Sequence, residues 1–273
     1  MKVTVLGSGS RGNSVLIESG DVRLLVDAGF SGRDMERRLA AVEIAPESIT
    51  ALLITHDHSD HTRGMGVVAR RWGIPIYMTE PTRAACHKLL DGTEKLRRYG
   101  SEEPVEIQGL VVAPFLTVHD AVDPIAVTVT ESATGQKLGI ATDLGRATTP
   151  VRAALQGCDL LILESNHDPI LLRESHYPWS VKSRIASGHG HLSNRAAAEL
   201  AGELYHKQLA TVILAHLSEA ANEPEIARDT VGVALEKLRY RGPVHVASQE
   251  TPMETMDVSR LRALVAPPQL SLL

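Results

Sequence analysis

Short apolar segments bounded by glycine, serine or asparagine dominate the first third of the chain. The segments KVTVLG, SVLIES and VRLLVDAG are rich in valine, leucine and isoleucine, a pattern that predicts three strands. The spacing changes in SGRDMERRLAAVEI, where Met35, Leu39 and Val42 recur at helical intervals. Ser31 followed by Asp34 is typical of a helix N-cap, so a helix is predicted after the three strands.

The remaining apolar runs alternate with helical patterns. ALLIT (residues 51–55) and PIYM are predicted strands, with a helix over RGMGVVARRWG between them. Further strands are predicted at LVVAPFLTVH, IAVTVTE, KLGIATD, LLILES, TVILAH and VHVAS, and helices at about 80–90, 149–156, 194–206 and 224–239. Strand hairpins that alternate with strand-helix units are typical of a layered α/β protein with mixed sheets.

No low-complexity segment or linker interrupts this order of elements. The pattern predicts one domain over residues 1–265 and a C-terminal tail, APPQLSLL, over residues 266–273. A chain of 273 residues, 43% of them hydrophobic, is long enough to bury a sizeable core.

Composition and charge argue against several classes of protein. The two cysteines, Cys86 and Cys158, lie far apart, and the chain begins in a strand-like segment rather than an export signal. We therefore expect a cytoplasmic protein without a disulfide framework. No apolar run approaches the roughly 18 residues that span a bilayer, which argues against a membrane protein. The net charge of -5 gives no overall attraction to nucleic acid, although a local basic patch remains open.

The polar stretch ITHDHSDHTRGM, directly after the strand ALLIT, concentrates the candidate chemistry. It contains His56, His58, Asp60 and His61 in the array H-x-H-x-D-H. Alternate residues of an extended segment point the same way, so His56 and His58 can converge on one ion while Asp60 and His61 turn toward a second. Imidazole and carboxylate ligands suit zinc, and also manganese or iron. The alternative is a solvated loop in which Asp60 caps a helix, but that role does not explain three histidines at this spacing.

Two ions need more ligands than this array supplies. Three further candidates end apolar strands: His119 in FLTVH, Asp143 in KLGIATD and His216 in TVILAH. Side chains at strand ends reach one rim of a sheet. A lone histidine or aspartate there is usually structural, but three of them beside the array favour a metal centre.

The array, followed by histidine, aspartate and histidine at separate strand ends, resembles the metallo-β-lactamase fold superfamily over nearly the whole chain. The resemblance implies an αββα sandwich, two mixed β-sheets flanked by helices, with a two-metal site at one edge. It implies hydrolysis by a metal-bridging hydroxide, because a bound divalent ion lowers the pKa of water to about 7. The ligands that it implies are His56, His58 and His119 for one ion, Asp60, His61 and His216 for the other, and Asp143 as a bridge.

Several branches of the superfamily can be compared with this chain. Secreted β-lactamases have an export signal, and diiron flavoproteins resemble the array with a glutamate where this chain has His58. The metal ligands leave open a small-molecule thioester or ester hydrolase of the hydroxyacylglutathione hydrolase type. A cyclic phosphodiesterase and a non-enzymatic regulatory member also stay open.

Four other segments favour a phosphodiesterase. GSGSRGNSVLI, LESNHDP, GHGHLSN and LAHLSEAANEPEIA resemble the YycJ (WalJ)-like group and, more distantly, ribonuclease Z. This resemblance implies a glutamate and a histidine beside the scissile phosphate, and Glu164 and His191 match them. We expect His191 to protonate the leaving oxygen, general acid work that contributes about 10²- to 10⁴-fold, with a buried Glu164 orienting it and Asp60 as a further catalytic candidate. The alternatives are that Glu164 caps a turn and that His191 only precedes the helix N-cap Ser193.

Three further positions are candidates for supporting roles. Asp27 in VDAG matches a superfamily position whose carboxylate supports the metal-binding histidines. Asn13 lies in the glycine run, whose backbone amides could form a wall for an anionic substrate, and His167 is a candidate beside the substrate. Arg11 and Ala221 depart from the group's pattern, which puts the substrate in question rather than the metal site.

The favoured function is that of a two-metal hydrolase, a phosphodiesterase or nuclease similar to DNA exonucleases. DNA, RNA and small phosphodiesters all stay open as substrates. The oligomeric state also stays open. Side chains that could contact a nucleic-acid backbone, although such charges are more often only solvated, are Arg70, Arg71, Arg97, Arg98, Lys182 and Arg184.

Overall fold

Fourteen β-strands run through residues 1–265, the residues that this computed structural model describes. The predicted tail, residues 266–273, lies outside the described residues. In chain order the strands are β1 (Lys2–Gly7), β2 (Ser14–Ser19), β3 (Val22–Val26), β4 (Ala51–Leu53), β5 (Ile76–Met78), β6 (Leu96–Arg98), β7 (Val105–Ile107), β8 (Leu110–Leu116), β9 (Ile125–Glu131), β10 (Lys137–Ala141), β11 (Leu160–Glu164), β12 (Thr211–Ala215), β13 (Val244–Val246) and β14 (Met256–Asp257).

Helices connect many of these strands in the same described part of the chain. Two 3-10 turns, Pro46–Ser48 and His87–Leu89, accompany them. The α-helices are α1 (Gly32–Ala41), α2 (Ser59–Thr62), α3 (Met65–Trp72), α4 (Glu80–Ala85), α5 (Thr149–Leu155), α6 (Pro169–Glu174), α7 (Trp179–Ile185), α8 (Asn194–Leu204), α9 (Pro224–Glu236) and α10 (Val258–Val265).

The strands form two sheets, and each sheet has an antiparallel part and a parallel part. The strand order is β14-β1-β2-β3-β4-β5-β6 in the first sheet and β13-β12-β11-β10-β9-β8-β7 in the second. Strands β3 to β6 run parallel in the first sheet, and β10 to β13 run parallel in the second. Loops after parallel strands lie along the carboxyl edge of a sheet, where open α/β sheets usually bind ligands.

Three clusters of buried apolar side chains separate four layers. The central cluster joins the inner faces of the two sheets, with Leu24 from the first and Ile162 from the second. Leu25 points the other way and packs with Leu39 of α1, because successive side chains of a strand face opposite sides of the sheet. A third cluster packs the outer face of the second sheet against α5, α8 and α9. The predicted αββα sandwich is confirmed.

The main predicted strands and helices form, but several of them end at residues other than those predicted. The predicted N-caps form, since the Ser31 and Ser193 hydroxyls each accept a hydrogen bond of 3.2 Å, from the amides of Asp34 and Ala196. Several predicted strands were too long: β4 ends two residues before Thr55, and β3, β8 and β10 also end before their predicted limits. Pairing stops within one or two residues of these ends: the Ile54 amide still donates to the Tyr77 carbonyl oxygen at 2.9 Å, whereas the Thr55 amide donates to the Asp27 side chain. The elements that the patterns did not predict are β6, β7, β14, α2, α6, α7 and α10.

Neither cysteine forms a disulfide. Cys86 and Cys158 are buried free thiols, and burial raises their pKa values to about 11 and about 12. Such thiols stay protonated and are chemically inert near neutral pH. None of the helices described within residues 1–265 combines the length and the apolar character that a membrane crossing requires.

Candidate metal centre

Three candidate ligand or support residues occupy turns where strands end. Asp27 directly follows β3, His216 directly follows β12, and Asp143 follows β10 by two residues. All three have left-handed backbones, with φ of 65°, 56° and 58°. Residues other than glycine pay about 1–3 kcal/mol for such a conformation, so the surrounding contacts must stabilise it. The turns bring the three side chains together at the carboxyl edges of the two sheets.

The H-x-H-x-D-H array begins in the loop after β4, with His56 and His58, and continues into α2, with Asp60 and His61. Its backbone is tied to neighbouring loops, because the Asp60 carbonyl accepts the Asn13 amide and the His61 carbonyl accepts the Ala28 amide, both at 2.8 Å. A Cβ at Gly29 would lie only 1.6 Å from the Asp60 carbonyl oxygen. Glycine is therefore required where the loop after β3 crosses the array.

The predicted ligands converge. His61 Nε2 lies 3.1 Å from Asp143 Oδ2, and His216 Nε2 lies 3.3 Å from Asp60 Oδ2. The other Asp143 oxygen, Oδ1, lies 3.5 Å from His119 Nε2. Four overlapping groups, in each of which the ligand atoms lie within 4.8 Å of one another, are His56 with His58 and His119, His56 with His61 and Asp143, Asp60 with His61 and His216, and Asp143 with Glu164, His191 and His216.

Each of the five candidate ligand histidines engages its other ring nitrogen with an oxygen atom. Such contacts fix the imidazole tautomer and ring orientation, and they leave one nitrogen free for a metal ion. The contacts are His56 Nδ1 with Thr55 Oγ1 (3.0 Å), His58 Nε2 with the Asp120 carbonyl oxygen (3.2 Å), His61 Nδ1 with Asp27 Oδ2 (2.7 Å), His119 Nδ1 with the Gly190 carbonyl oxygen (2.9 Å) and His216 Nδ1 with Glu164 Oε1 (3.2 Å).

Two buried polar atoms in the cluster have no hydrogen-bond partner within the described residues. They are Nε2 of His56 and Oδ2 of Asp143, the latter in an ion-pair contact with His61 Nε2 at 3.1 Å but not in a hydrogen bond. Leaving a buried polar atom unpaired costs about 1–3 kcal/mol. A divalent cation in contact with both would remove this penalty, and imidazole with carboxylate is a donor set that zinc accepts. The residues present therefore fit divalent metal ions.

Nearby positive charge stabilises the ionised carboxylates of the cluster. Burial lowers the pKa of His216, but Asp143, Asp60 and Glu164 outweigh burial and raise it to about 10. Burial would likewise raise the pKa of Asp60, yet the hydrogen bond with His216 and the charge of His61 hold it below its usual value. A metal ion supplies the same positive charge, and it binds only neutral imidazole, so cation and proton compete for these nitrogens.

Asp27 supports two of the histidines. One carboxylate oxygen accepts from His61 Nδ1, and the carboxylate also accepts the backbone amide and the hydroxyl of Thr55, both at 2.9 Å. Thr55 Oγ1 in turn accepts from His56 Nδ1. The supporting role of Asp27 toward bound metal stays a prediction. Thr55 was missed, although its place directly before the array was a signal.

The glycine run contacts the cluster through Asn13. The Asn13 side-chain amide nitrogen lies 3.1 Å from His61 Nε2 and 3.3 Å from Asp60 Oδ2. Its oxygen accepts the Ser8 hydroxyl at 2.9 Å, and Ser8 Oγ accepts the His216 backbone amide at the same distance. Asn13 is buried beside the candidate ligands, while the role of the run as a wall for substrate stays a prediction.

Glu164 and His191 form a close pair beside these groups. Oε1 of Glu164 lies 2.6 Å from His191 Nδ1, and Oε2 accepts the backbone amides of Leu144 at 2.7 Å and Leu192 at 3.0 Å. Burial would raise the pKa of Glu164, but His191 and His216 lower it to about 2. Glu164 is therefore an anion that joins two loops and two imidazoles rather than a cap of one turn. The same carboxylate raises the pKa of His191 against the effect of burial.

His167 lies outside the four ligand groups. Its side chain is buried, and Nδ1 has no hydrogen-bond partner among residues 1–265. Burial lowers its pKa to about 4 despite the charge of Glu164, so the ring is neutral. Its predicted contact with substrate stays a prediction.

The basic residues named from the sequence lie on three separate elements, α3, β6 and α7. Several already have carboxylate partners: Arg70 pairs with Asp91 and Glu94, and Arg71 pairs with Glu36 at 2.7 Å. These two arginines therefore belong to solvated ion pairs on α3 rather than to a basic patch at the metal centre.

Comparisons with known proteins agree with this fold. Residues 22–217 match the β-lactamase superfamily domain. The solved structure of the metallo-β-lactamase fold protein YhfI from Bacillus subtilis superposes with a TM-score of 0.70 at 20% identity, over 92% of this chain and 98% of YhfI. This likeness concerns the fold alone.

Two curated relatives narrow the comparison. Exodeoxyribonuclease YycJ of Bacillus anthracis is 34% identical over 236 residues, which are 86% of this chain and 89% of that protein. Ribonuclease Z of Mycobacterium sp. (strain KMS) is 31% identical over 143 residues, 46% of this chain and 48% of that protein. The chain therefore belongs to the metallo-β-lactamase superfamily and, within it, to the YycJ (WalJ)-like group.

Proposed function

We propose that this chain is a two-metal-dependent phosphodiesterase that acts as a nuclease, of the exodeoxyribonuclease kind. One observation supports this above all: the candidate ligands meet at one sheet edge, directly beside the buried Glu164 and its partner His191. The curated relatives named as nucleases, YycJ and ribonuclease Z, support the choice of a phosphodiester over a thioester.

The proposed ligands divide into two sets joined by one carboxylate. Asp143 is suited to the bridging position, because one of its oxygens is near His119 and the other is near His61. Zinc is the first candidate for both ions, and manganese or iron also fit these donors. The sets are His56, His58 and His119 for one ion, and Asp60, His61 and His216 for the other.

The chain's own residues prepare the site for hydrolysis. When bound, two divalent ions supply a nucleophile from water near neutral pH and neutralise charge on the phosphate. Glu164 holds Nδ1 of His216 and Asp27 holds Nδ1 of His61, so both imidazoles present Nε2 to an ion, and Asp60 supplies a carboxylate beside His216.

His191 has the role of general acid in this proposal. Its Nδ1 is held by Glu164, and its side chain is 18% exposed, whereas Glu164 is fully buried. Nε2 is therefore the nitrogen available to donate a proton to the leaving oxygen, and Glu164 stabilises the protonated ring. Proton transfer by a positioned side chain contributes about 10²- to 10⁴-fold to the rate.

A cytoplasmic location is part of the proposal. The buried free thiols Cys86 and Cys158 support it, because free cysteines persist in the reducing cytosol.

A panel of substrates tests the proposed function. The purified protein, loaded with zinc or manganese, is assayed with bis(p-nitrophenyl) phosphate, with single- and double-stranded oligonucleotides, and with an acylglutathione. We expect turnover of the phosphodiesters and shortening of oligonucleotides from an end. Turnover of the acylglutathione alone would establish a thioester hydrolase instead, and no turnover of any substrate would favour a regulatory role.

A further inference from the structure

An exposed aromatic group lies in the connection between β11 and α8. Trp179, the first residue of α7, is 78% exposed, whereas the other tryptophan, Trp72, is 8% exposed. His176 and Tyr177 precede Trp179, with ring centroids 5.0 Å apart. The chain has only two tryptophans and five tyrosines, so aromatic side chains are concentrated at this point of the surface.

The carboxyl end of α7 leads directly into the candidate active site. The His191 amide donates to the Ile185 carbonyl oxygen at 2.9 Å. A Cβ at Gly190 would lie 2.1 Å from the Arg184 carbonyl oxygen, so the chain after the helix packs tightly against its last turn. An α-helix rises about 1.5 Å per residue, which puts Trp179 about 9 Å along the helix axis from Ile185.

The same helix contacts the first proposed metal set. Arg184 forms an ion pair with Asp120, and Asp120 Oδ1 lies 3.3 Å from His119 Nε2. The carbonyl oxygen of Asp120 also accepts from His58 Nε2. The position of α7 relative to the proposed metal ligands is thus fixed by side chains as well as by the backbone.

One cation of the segment is available to a polyanion. The Lys182 amine donates to the carbonyl oxygen of Arg173, a neutral acceptor, and forms no ion pair among residues 1–265. Arg173 itself is exposed and lies 3.6 Å from Glu174. Aromatic rings interleaved with cations are the combination with which proteins bind single-stranded nucleic acid, through base stacking and backbone contacts.

We propose that α7 is a binding platform for a single-stranded segment of the substrate, with Trp179 stacked on a base and Lys182 against the backbone. This inference rests on the proposed function, since the strand must reach the centre beside His191. Helix α7 runs from Trp179 to the turn that carries His191, so the stacked base belongs to the same strand as the scissile phosphate. Stacking of this kind is sequence-tolerant, because every base has a π-face.

Kinetics on two substrates tests the platform. In Trp179→Ala we expect kcat/KM for a single-stranded oligonucleotide to fall roughly tenfold, mainly through KM, because the stacking energy is lost. Hydrolysis of bis(p-nitrophenyl) phosphate, which has no nucleic-acid strand to lie along α7, should be unchanged. Trp179→Phe should restore part of the loss. Leu264→Ala is the matched control, since Leu264 is also exposed, at 73%, but lies on α10.

Fluorescence gives a readout independent of turnover. Trp72 is buried, so a phosphorothioate single strand that resists cleavage should quench the exposed Trp179, and Trp179→Phe should abolish the quenching. Equal kcat/KM and no quenching would overturn the platform while leaving the nuclease proposal intact. Failure of the wild-type protein on every phosphodiester would overturn the nuclease proposal, and quenching would then still report binding. Quenching that grows with protein concentration without nucleic acid would show that a second copy covers Trp179, which also overturns the platform.

Discussion

The surroundings of the two ring nitrogens distinguish the candidate ligand histidines from ordinary histidines. In the cluster, each imidazole has one nitrogen held by an oxygen acceptor and the other directed at the neighbouring ligands, as for His119 and its contact with the Gly190 carbonyl. His87 on the surface also contacts a carbonyl oxygen, that of Ala84, but no carboxylate or second imidazole faces its other side within the described residues. Within the site itself, His61 and His191 have different contacts, so we expect different roles for them.

Replacing His61 and replacing His191 should have different effects. We expect His61→Ala to lower bound metal, because Nε2 of His61 faces both Asp143 and Asp60. His191→Ala should keep the metal and lower turnover by about 10²- to 10⁴-fold, since it removes only the general acid. Metal content by mass spectrometry and rates with a single-stranded oligonucleotide, whose leaving oxygen needs a proton, measure both, with His87→Ala as the control. Equal metal loss in both variants would make His191 a ligand or a structural residue.

Asp27 gives a prediction about metal affinity rather than rate. Asp27→Asn keeps the size of the side chain but removes the negative charge that orients His61 and accepts from Thr55. Loss of such a supporting partner typically lowers metal affinity about 10- to 100-fold. Competition with a chromophoric chelator measures the affinity, and Asp21→Asn, at an exposed turn, serves as the control. An unchanged affinity would show that backbone packing alone orients His61.

Whole elements were predictable where burial is continuous or periodic. Strands such as β11, with all five residues buried, leave a clear apolar run in the sequence. Helix α7 leaves none, because it has no buried residue, and β6 has only one residue that is even partly buried. The H-x-H-x-D-H array could be recognised for a different reason, because its four candidate ligands lie close together in the sequence. The way in which Glu164 joins His191 to His216 depends on the parallel pairing of β11 and β12, which no local pattern reveals.

Glycine at the crossing of two loops gives a prediction for the elements. Gly29→Ala would drive a Cβ into the Asp60 carbonyl and the Asn13 amide, so the loop after β3 must separate from the array. We expect lower stability together with loss of bound metal, measured by urea unfolding and metal analysis. Gly232→Ala in α9 is the matched control, because nothing lies within 4 Å of the added Cβ. That substitution should stabilise the helix by about 0.8–1 kcal/mol. Normal metal content in Gly29→Ala would contradict the requirement for glycine where the loop after β3 crosses the array.

At the scale of the molecule, the proposed ligands come from both sheets. The array follows β4 in the first sheet, whereas His119, Asp143 and His216 follow β8, β10 and β12 in the second. Metal ions bound between them would link the two sheets at one edge. The central apolar cluster links the same sheets over their whole inner faces, so the fold has a source of stability that does not depend on metal.

Chelation should therefore weaken the fold without abolishing it. A ligand present at 100 times its Kd stabilises the folded state by about 2.7 kcal/mol, and removing it withdraws that amount for each ion. We expect EDTA to lower the melting temperature of the wild-type protein while a cooperative transition persists, because the central cluster remains packed. In His61→Ala the same chelator should lower it less, since less metal is bound at the outset. An equal shift in both proteins would mean that the stabilising ions lie elsewhere, and complete unfolding by EDTA would mean that the sheets depend on metal more than their buried contact indicates.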